Sequence, residues 1–244
     1  MFKQNILVLS GLLVTMSSCA QWWGSNKKID GNNDVQTITR STSDYDIVHL
    51  KGSWDVKLVK GREGELKITG ESNLLEYITT EVEGNKLSIH SRDGYSLHTS
   101  FNKGILVTVP FNDLESIHLS GSGDIITADT VRSEDLEVVV SGSGDVTITL
   151  ESVNLKGKVT GSGDIILRGK TTNFECGVTG SGDIKAYDVQ AKNVEASVTG
   201  SGDIEVTALE AIRGRVTGSG DIDYKGNPGK KDTKVVGSGA ISPK

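Results

Sequence analysis

Through the second half of the chain, every second residue is apolar or glycine. Steps of two from Gly200 meet Val198, Ala196 and Val194 in one direction and Gly202, Ile204 and Val206 in the other. The same walk from Gly161 meets Val159, Gly157, Leu155, Gly163, Ile165 and Leu167. From Gly218 it meets Val216, Gly214, Ile212, Gly220, Ile222 and Tyr224. Side chains alternate across a strand, so these positions form one buried face, and the interleaved Thr199, Ser201, Asp203 and Glu205 face solvent. No stretch of the mature chain carries a convincing 3.6-residue apolar period over ten residues, which predicts an all-β protein.

The alternation is centred on a repeated tetrapeptide, G-S-G-D. Its first glycine falls at Gly121, Gly142, Gly161, Gly180, Gly200, Gly218 and, in a variant copy, Gly237, in steps of 21, 19, 19, 20, 18 and 19 residues. A period this short is too small for helical repeats and predicts a solenoid of short strands and turns, a parallel β-helix with coils of about 19–20 residues. Both glycines stand at inward positions of a sharp corner, where the narrow coil is expected to leave no room for a Cβ.

Rival readings of the motif fail on context. A phosphate loop needs a helix directly after the glycines, and a strand pattern follows instead. A nucleophile elbow needs G-x-S-x-G with a distant His and acid. The calcium-binding roll has a period of nine residues.

The repeated aspartates Asp124, Asp145, Asp164, Asp183, Asp203 and Asp221 share one outward position and should stack in a line at about 4.8 Å per coil. Each is expected to turn back onto the backbone amides of its own corner; a row of bridging cations and an anionic docking strip are the alternatives. That spacing nearly matches the carboxylate pair of a retaining glycosidase, yet no long loop forms a cleft and nothing separates the carboxyl pKa values. No enzyme, metal site or cofactor is therefore expected. His49, His90, His98 and His118 lack metal-ligand spacing and read as surface residues. Cys176 occupies the inward position that holds Gly157, Ala196 and Gly214 in other coils, which predicts a buried thiol.

The N-terminus carries a different signal. Lys3 precedes the apolar run Ile6 to Met16, which is shorter than the roughly 20 residues that span a bilayer. In "VTMSSC" two serines lead to Cys19, and the stretch resembles a bacterial lipoprotein signal, with residues 1–18 removed and Cys19 lipidated. Residues 19–40, which include Trp22 and Trp23, read as a lipidated start and flexible tether. Residues 41–112 read as wider, irregular coils with a cap, and residues 113–244 as the regular repeat with a C-terminal cap. "HLKGSWDVKL" aligns with "HLSGSGDI", placing Trp54 where the second glycine stands and Asp55 where the aspartate stands. Trp54 reads as a plug for the open end of the solenoid, or as an aromatic platform for sugars. Strand patterns in "LKITG", "LSIHS" and "ILVTV" lie between turns that include "EGN" and "RDG". At the far end, the turn at Asn227 to Gly229 and five lysines would blunt the last edge, where Ala240 replaces the aspartate.

A net charge of −6 without a basic block excludes nucleic acid as the expected partner. With Cys19 lipidated, Cys176 remains the single thiol and no disulfide frames the fold.

The "SGSGD" and "TGSGDI" repeats, preceded by "VHLKGSWDVKLVKG" and "NLLEYITTEVEGNKLSIH", resemble the head-GIN-domain family of autotransporter-type adhesins over about residues 45–242. The resemblance implies a single-stranded right-handed parallel β-helix, export and an adhesin or envelope role with no established enzyme activity, and it supplies no catalytic residues. The expectation is an envelope lipoprotein of the outer membrane, facing the periplasm or the cell surface. It would be held by its lipid anchor and bind an envelope protein or a glycan. An envelope-stress or assembly partner and a carbohydrate-active β-helix enzyme are the alternatives.

Overall fold

The computed structural model describes residues 26–244, and its all-β architecture is a solenoid of about seven turns. Cys19, expected to be lipidated, the expected signal segment 1–18, and Trp22 and Trp23 lie outside the described residues.

Each regular coil is one long bent strand plus a G-S-G-D corner. The strands Val131–Gly142, Val146–Gly161, Ile165–Gly180, Ile184–Gly200 and Ile204–Gly218 stack in parallel, with Gly142, Gly161, Gly180, Gly200 and Gly218 in one column. The alternating positions are buried as the pattern demands: Val159, Gly163, Ile165 and Leu167 in one coil, Val198, Gly202, Ile204 and Val206 in another. Each strand also bends once between corners, where the alternation breaks. Leu150 and Leu155 are both buried although they stand five positions apart, an odd step that strict alternation would place on opposite faces. At the same bend in the next coil, the hydroxyl of Thr171 donates to the Val153 and Asn173 carbonyls and accepts from Ser152. Differences in coil length are absorbed by register shifts between Ile166 and Arg168 and between Ala186 and Asn193.

The N-terminal region stacks out of chain order. Strand Ile47–Gly52 pairs in parallel with Ser116–Gly121 on one side and with Lys86–Ser91 on the other. Asp55–Lys60 lies likewise between Ile125–Thr127 and Leu106–Phe111. The rung built from residues 47–60 is therefore second in the stack. The chain leaves it, builds the outermost rung and the end cover, and returns to its other face. Strand Glu65–Glu71 pairs antiparallel with Val35–Ser41 and with Leu106–Phe111, and Ile78–Glu83 pairs antiparallel with Lys86–Ser91. Arg40 ties these outer strands together by donating to the Leu75 carbonyl at 2.6 Å and to the Ile78 carbonyl. A guanidinium suits this task because its fork reaches two carbonyls at once.

Three expectations change. The tether reading of residues 19–40 fails within the described part, because Lys27–Asp30 pairs with Tyr95–His98 and Val35–Ser41 joins the end cover. Their side chains are mostly exposed, so the backbone ladder holds them and no apolar pattern announced them. Trp54 does not plug the open end, since Lys86–Ser91 and Leu106–Phe111 stack outside its rung and antiparallel strands close that end. The glycines are required for a different steric reason. A Cβ on the first glycine of each corner, from Gly121 to Gly237, would sit 2.1–2.4 Å from the carbonyl oxygen of the glycine one coil earlier. These glycines also have φ between +124° and +143°. The obstacle lies along the solenoid axis, not in its core.

The C-terminal end is more open. Lys230–Gly237 pairs with Ala211–Gly218 with all its residues exposed, and the short last strand Ile241–Pro243 pairs with Ile222–Lys225. Lys231 lays its stem across Tyr224, with Nζ 5.6 Å from the ring centre.

Candidate functional site

The repeated corner can be understood by following its backbone donors. In the coil that starts at Ser143, the N–H groups of Ser143 and Gly144 both donate to the Gly121 carbonyl, at 2.9 and 3.1 Å. In the next coil, Ser162 and Gly163 do the same to Gly142. The N–H of the residue after the aspartate donates the other way, as Ile165 does to the Asp183 carbonyl at 2.9 Å. That leaves the aspartate's own N–H, which no carbonyl reaches. It donates instead to the carboxylate of the aspartate one coil earlier.

This bond recurs from Asp55 to Asp124, then through Asp145, Asp164, Asp183, Asp203 and Asp221 to the N–H of Ala240, at 2.7–3.1 Å throughout. The structure thus brings all six predicted aspartates into one line and adds Asp55 as a seventh. The expectation that each accepts amides at its own corner is corrected: each accepts from the next coil. The parallel offset between coils carries the carboxylate forward by one rung, so its nearest free donor is the neighbour's N–H. At Ala240 the line ends in a residue that gives its N–H to Asp221 and has no carboxylate of its own.

Lys185 is the cation on this line, 2.5 Å from Asp164 and 3.7 Å from Asp183. Its ammonium is held above the ordinary lysine range, first by the hydrogen bond to Asp164. Among the described residues no cluster of His, Cys, Asp and Glu has metal-binding geometry.

A second column lies at the outer bend. Asn154 donates to Asp135 at 2.7 Å, Asn173 to Asn154 at 2.9 Å, and Asn193 to Asn173 at 3.0 Å. Beside it runs a wall of Glu137, Lys156, Glu175, Glu195, Arg213 and Asp232, in register from coil to coil. Two adjoining depressions of about 480 and 550 Å³ share Asn173 and Glu175, and together they make a furrow along the solenoid. Sequence reasoning missed this amide column. Its signal was present: Asn154, Asn173 and Asn193 precede Gly161, Gly180 and Gly200 by one fixed interval.

The histidines do not form a site. His49 and His118 are stacked neighbours from adjacent rungs, with ring centres 5.6 Å apart, and His49 bonds Ser120 at 3.0 Å. His49 is half-buried, contrary to its surface reading; burial, then Lys51 and His118, lowers its pKa to about 4. Cys176 is buried, and that burial pushes its thiol far above the usual range.

Comparison with known proteins places this geometry. A solved structure from Bacteroides fragilis named a "putative adhesin" shares 25% identity with a TM-score of 0.82, over 88% of this chain and 100% of its own. One from Parabacteroides distasonis named a "putative lipid binding protein" shares 28% identity with a TM-score of 0.75, over 89% and 100%. A "putative adhesin" from Parabacteroides merdae, 20% identical over 89% and 99% with a TM-score of 0.71, shows the same fold. No curated protein sequence matches. Residues 44–228 match the family model described as "Putative auto-transporter adhesin, head GIN domain", and the chain belongs to that family.

Proposed function

We propose that this chain is an exported, lipid-anchored envelope protein that works as a non-catalytic, adhesin-like binding module. The observation that carries the reading is the coil-to-coil use of the repeated polar groups. The aspartates that could have formed a catalytic row each accept a main-chain amide, and the asparagines bond one another, so the repeats act as a stiff scaffold that holds surfaces at fixed spacing. Family membership supports an adhesin-like role. The stretch "VTMSSC" supports lipidation at Cys19, and more than one acyl chain at that residue would hold the protein stably to a membrane.

Two measurements test this. Replacing Cys19→Ala should release the protein from the membrane fraction or block its maturation, and the wild type should carry an acyl mass on residue 19. Unchanged fractionation without that mass overturns the anchor. Immobilised protein should retain an envelope component or an arrayed glycan without consuming it; release of oligosaccharides from a glycan would mark an enzyme instead.

A further inference from the structure

One corner of the stack departs from all the others. In the rung of residues 47–60, Trp54 replaces the second glycine. In the rung outside it, no tight corner exists at all. After Ser91 the chain detours through strand Tyr95–His98, held by Lys27–Asp30, and rejoins the stack only at Leu106. Every regular corner makes the same connection with Ser-Gly-Asp. The detour forms a half-open cavity of about 590 Å³ against Trp54.

The detour is pinned just behind this lining, at Ser100. Glu71, fully buried, accepts hydrogen bonds from Ser100 N–H and Oγ at 2.8 and 2.6 Å and from Asn33 N–H at 2.6 Å. It therefore clamps the returning arm of the detour to the N-terminal segment. A preformed recess of this volume falls within the range of small-molecule sites.

Its chemistry is mixed and mostly polar. Trp54 and Tyr95 supply aromatic surface, and Ser53, Asp55, His98 and Lys103 supply donors and acceptors. Trp54 is 7% exposed, and its indole N–H has no acceptor among the described residues, a rare state for a buried donor. Asp55 reaches the aspartate ladder through Oδ1, which leaves Oδ2 as an acceptor. The aliphatic lining is limited to Leu97 and Ile105, too little for an acyl chain. One carboxylate and one ammonium in the lining leave no excess charge for an anion. The partly exposed Tyr95 ring and the unpaired Trp54 N–H, among hydroxyl, carboxylate and imidazole groups, suit a polyol with apolar C–H faces.

We infer that this corner cavity binds a neutral saccharide. The inference rests on the binding-module reading above and gives it a site and a ligand class.

The test uses full-length protein carrying Trp22→Phe and Trp23→Phe, so that Trp54 is its single tryptophan. It is titrated with glucose, galactose, mannose, N-acetylglucosamine and their β-linked disaccharides, and in parallel with phosphatidylglycerol vesicles. The expected result is a saturable change in Trp54 emission with at least one sugar. Lys103→Ala and His98→Ala should each weaken that sugar by about tenfold while the unfolding midpoint stays unchanged. A silent titration with every sugar overturns the inference. So does sugar binding that survives both variants, or a response to vesicles alone. If the wild type still retains an envelope component after such a failure, the binding-module reading stands and only this site is lost.

Discussion

The Oδ1 of Asp164 accepts the main-chain N–H of Asp183 at 2.9 Å, and Asp183 repeats the bond to Asp203 at the same distance. Only an acceptor oxygen at that position is required. Asp183→Asn should stay within a few tenths of a kcal/mol of wild type, because an amide oxygen can serve. Asp183→Ala should cost about 1 kcal/mol, since the Asp203 N–H loses its partner. Urea unfolding of the two variants checks this. Equal loss in both would show that the charge, not the acceptor, matters.

The first corner glycines should be far less tolerant. At Gly180 a Cβ would stand 2.4 Å from the Gly161 oxygen, in a backbone with φ of +125°. Gly180→Ala should cost about 3 kcal/mol or unstack the coil. Gly229 has open space around its Cα, and Gly229→Ala should be close to neutral. Thermal melts of the pair provide the comparison.

Cys176 lies between Gly157 and Ala196 in the core column. Its thiol should resist a maleimide reagent in the native protein and react only as the coil opens. Cys176→Phe should cost about 1–3 kcal/mol by overpacking. Rapid native labelling would contradict the buried geometry.

Acid should destabilise the fold in a defined window. The His49 imidazole takes up a proton near pH 6.5 in the unfolded chain and near pH 4 in the folded one. The unfolded state therefore binds more protons between those values, and stability present above pH 6.5 is lost as pH falls toward 4. At Glu71, burial pushes the carboxyl up but hydrogen bonds from Ser100 and Asn33 outweigh it, so its pKa is lowered from 4.5. Its contribution is lost as pH falls further. His49→Gln should flatten the dependence of the urea midpoint between pH 6.5 and 4.5, where an unchanged slope would assign the effect to other groups.

The repeating part of the fold was legible because each coil obeys one alternation around one corner, and "HLKGSWDVKL" already aligned with "HLSGSGDI". The structure bears out that alignment as a direct pairing, His49 with His118 and Gly52 with Gly121. It could not reveal that residues 86–111 stack on the opposite face, because a period of two shows which side of a strand is buried and not which neighbours it has. Antiparallel strands such as Ile78–Glu83 have the same pattern as parallel ones. Of the candidate sites, the aspartate line followed from parity alone. The Trp54 cavity did not, because the residues that enclose it come from segments with no shared motif.

The out-of-order rung has a kinetic consequence. Within residues 131–237 every coil needs only its sequence neighbour, so assembly there can proceed like a zipper closing by short loops. The 47–60 rung is made early and finished late: one flank waits for the detour through residue 111, and the other for the strand at 116–121. Until both arrive the rung presents unpaired parallel edges, so it is the part of the stack most open to mispairing while the chain is incomplete.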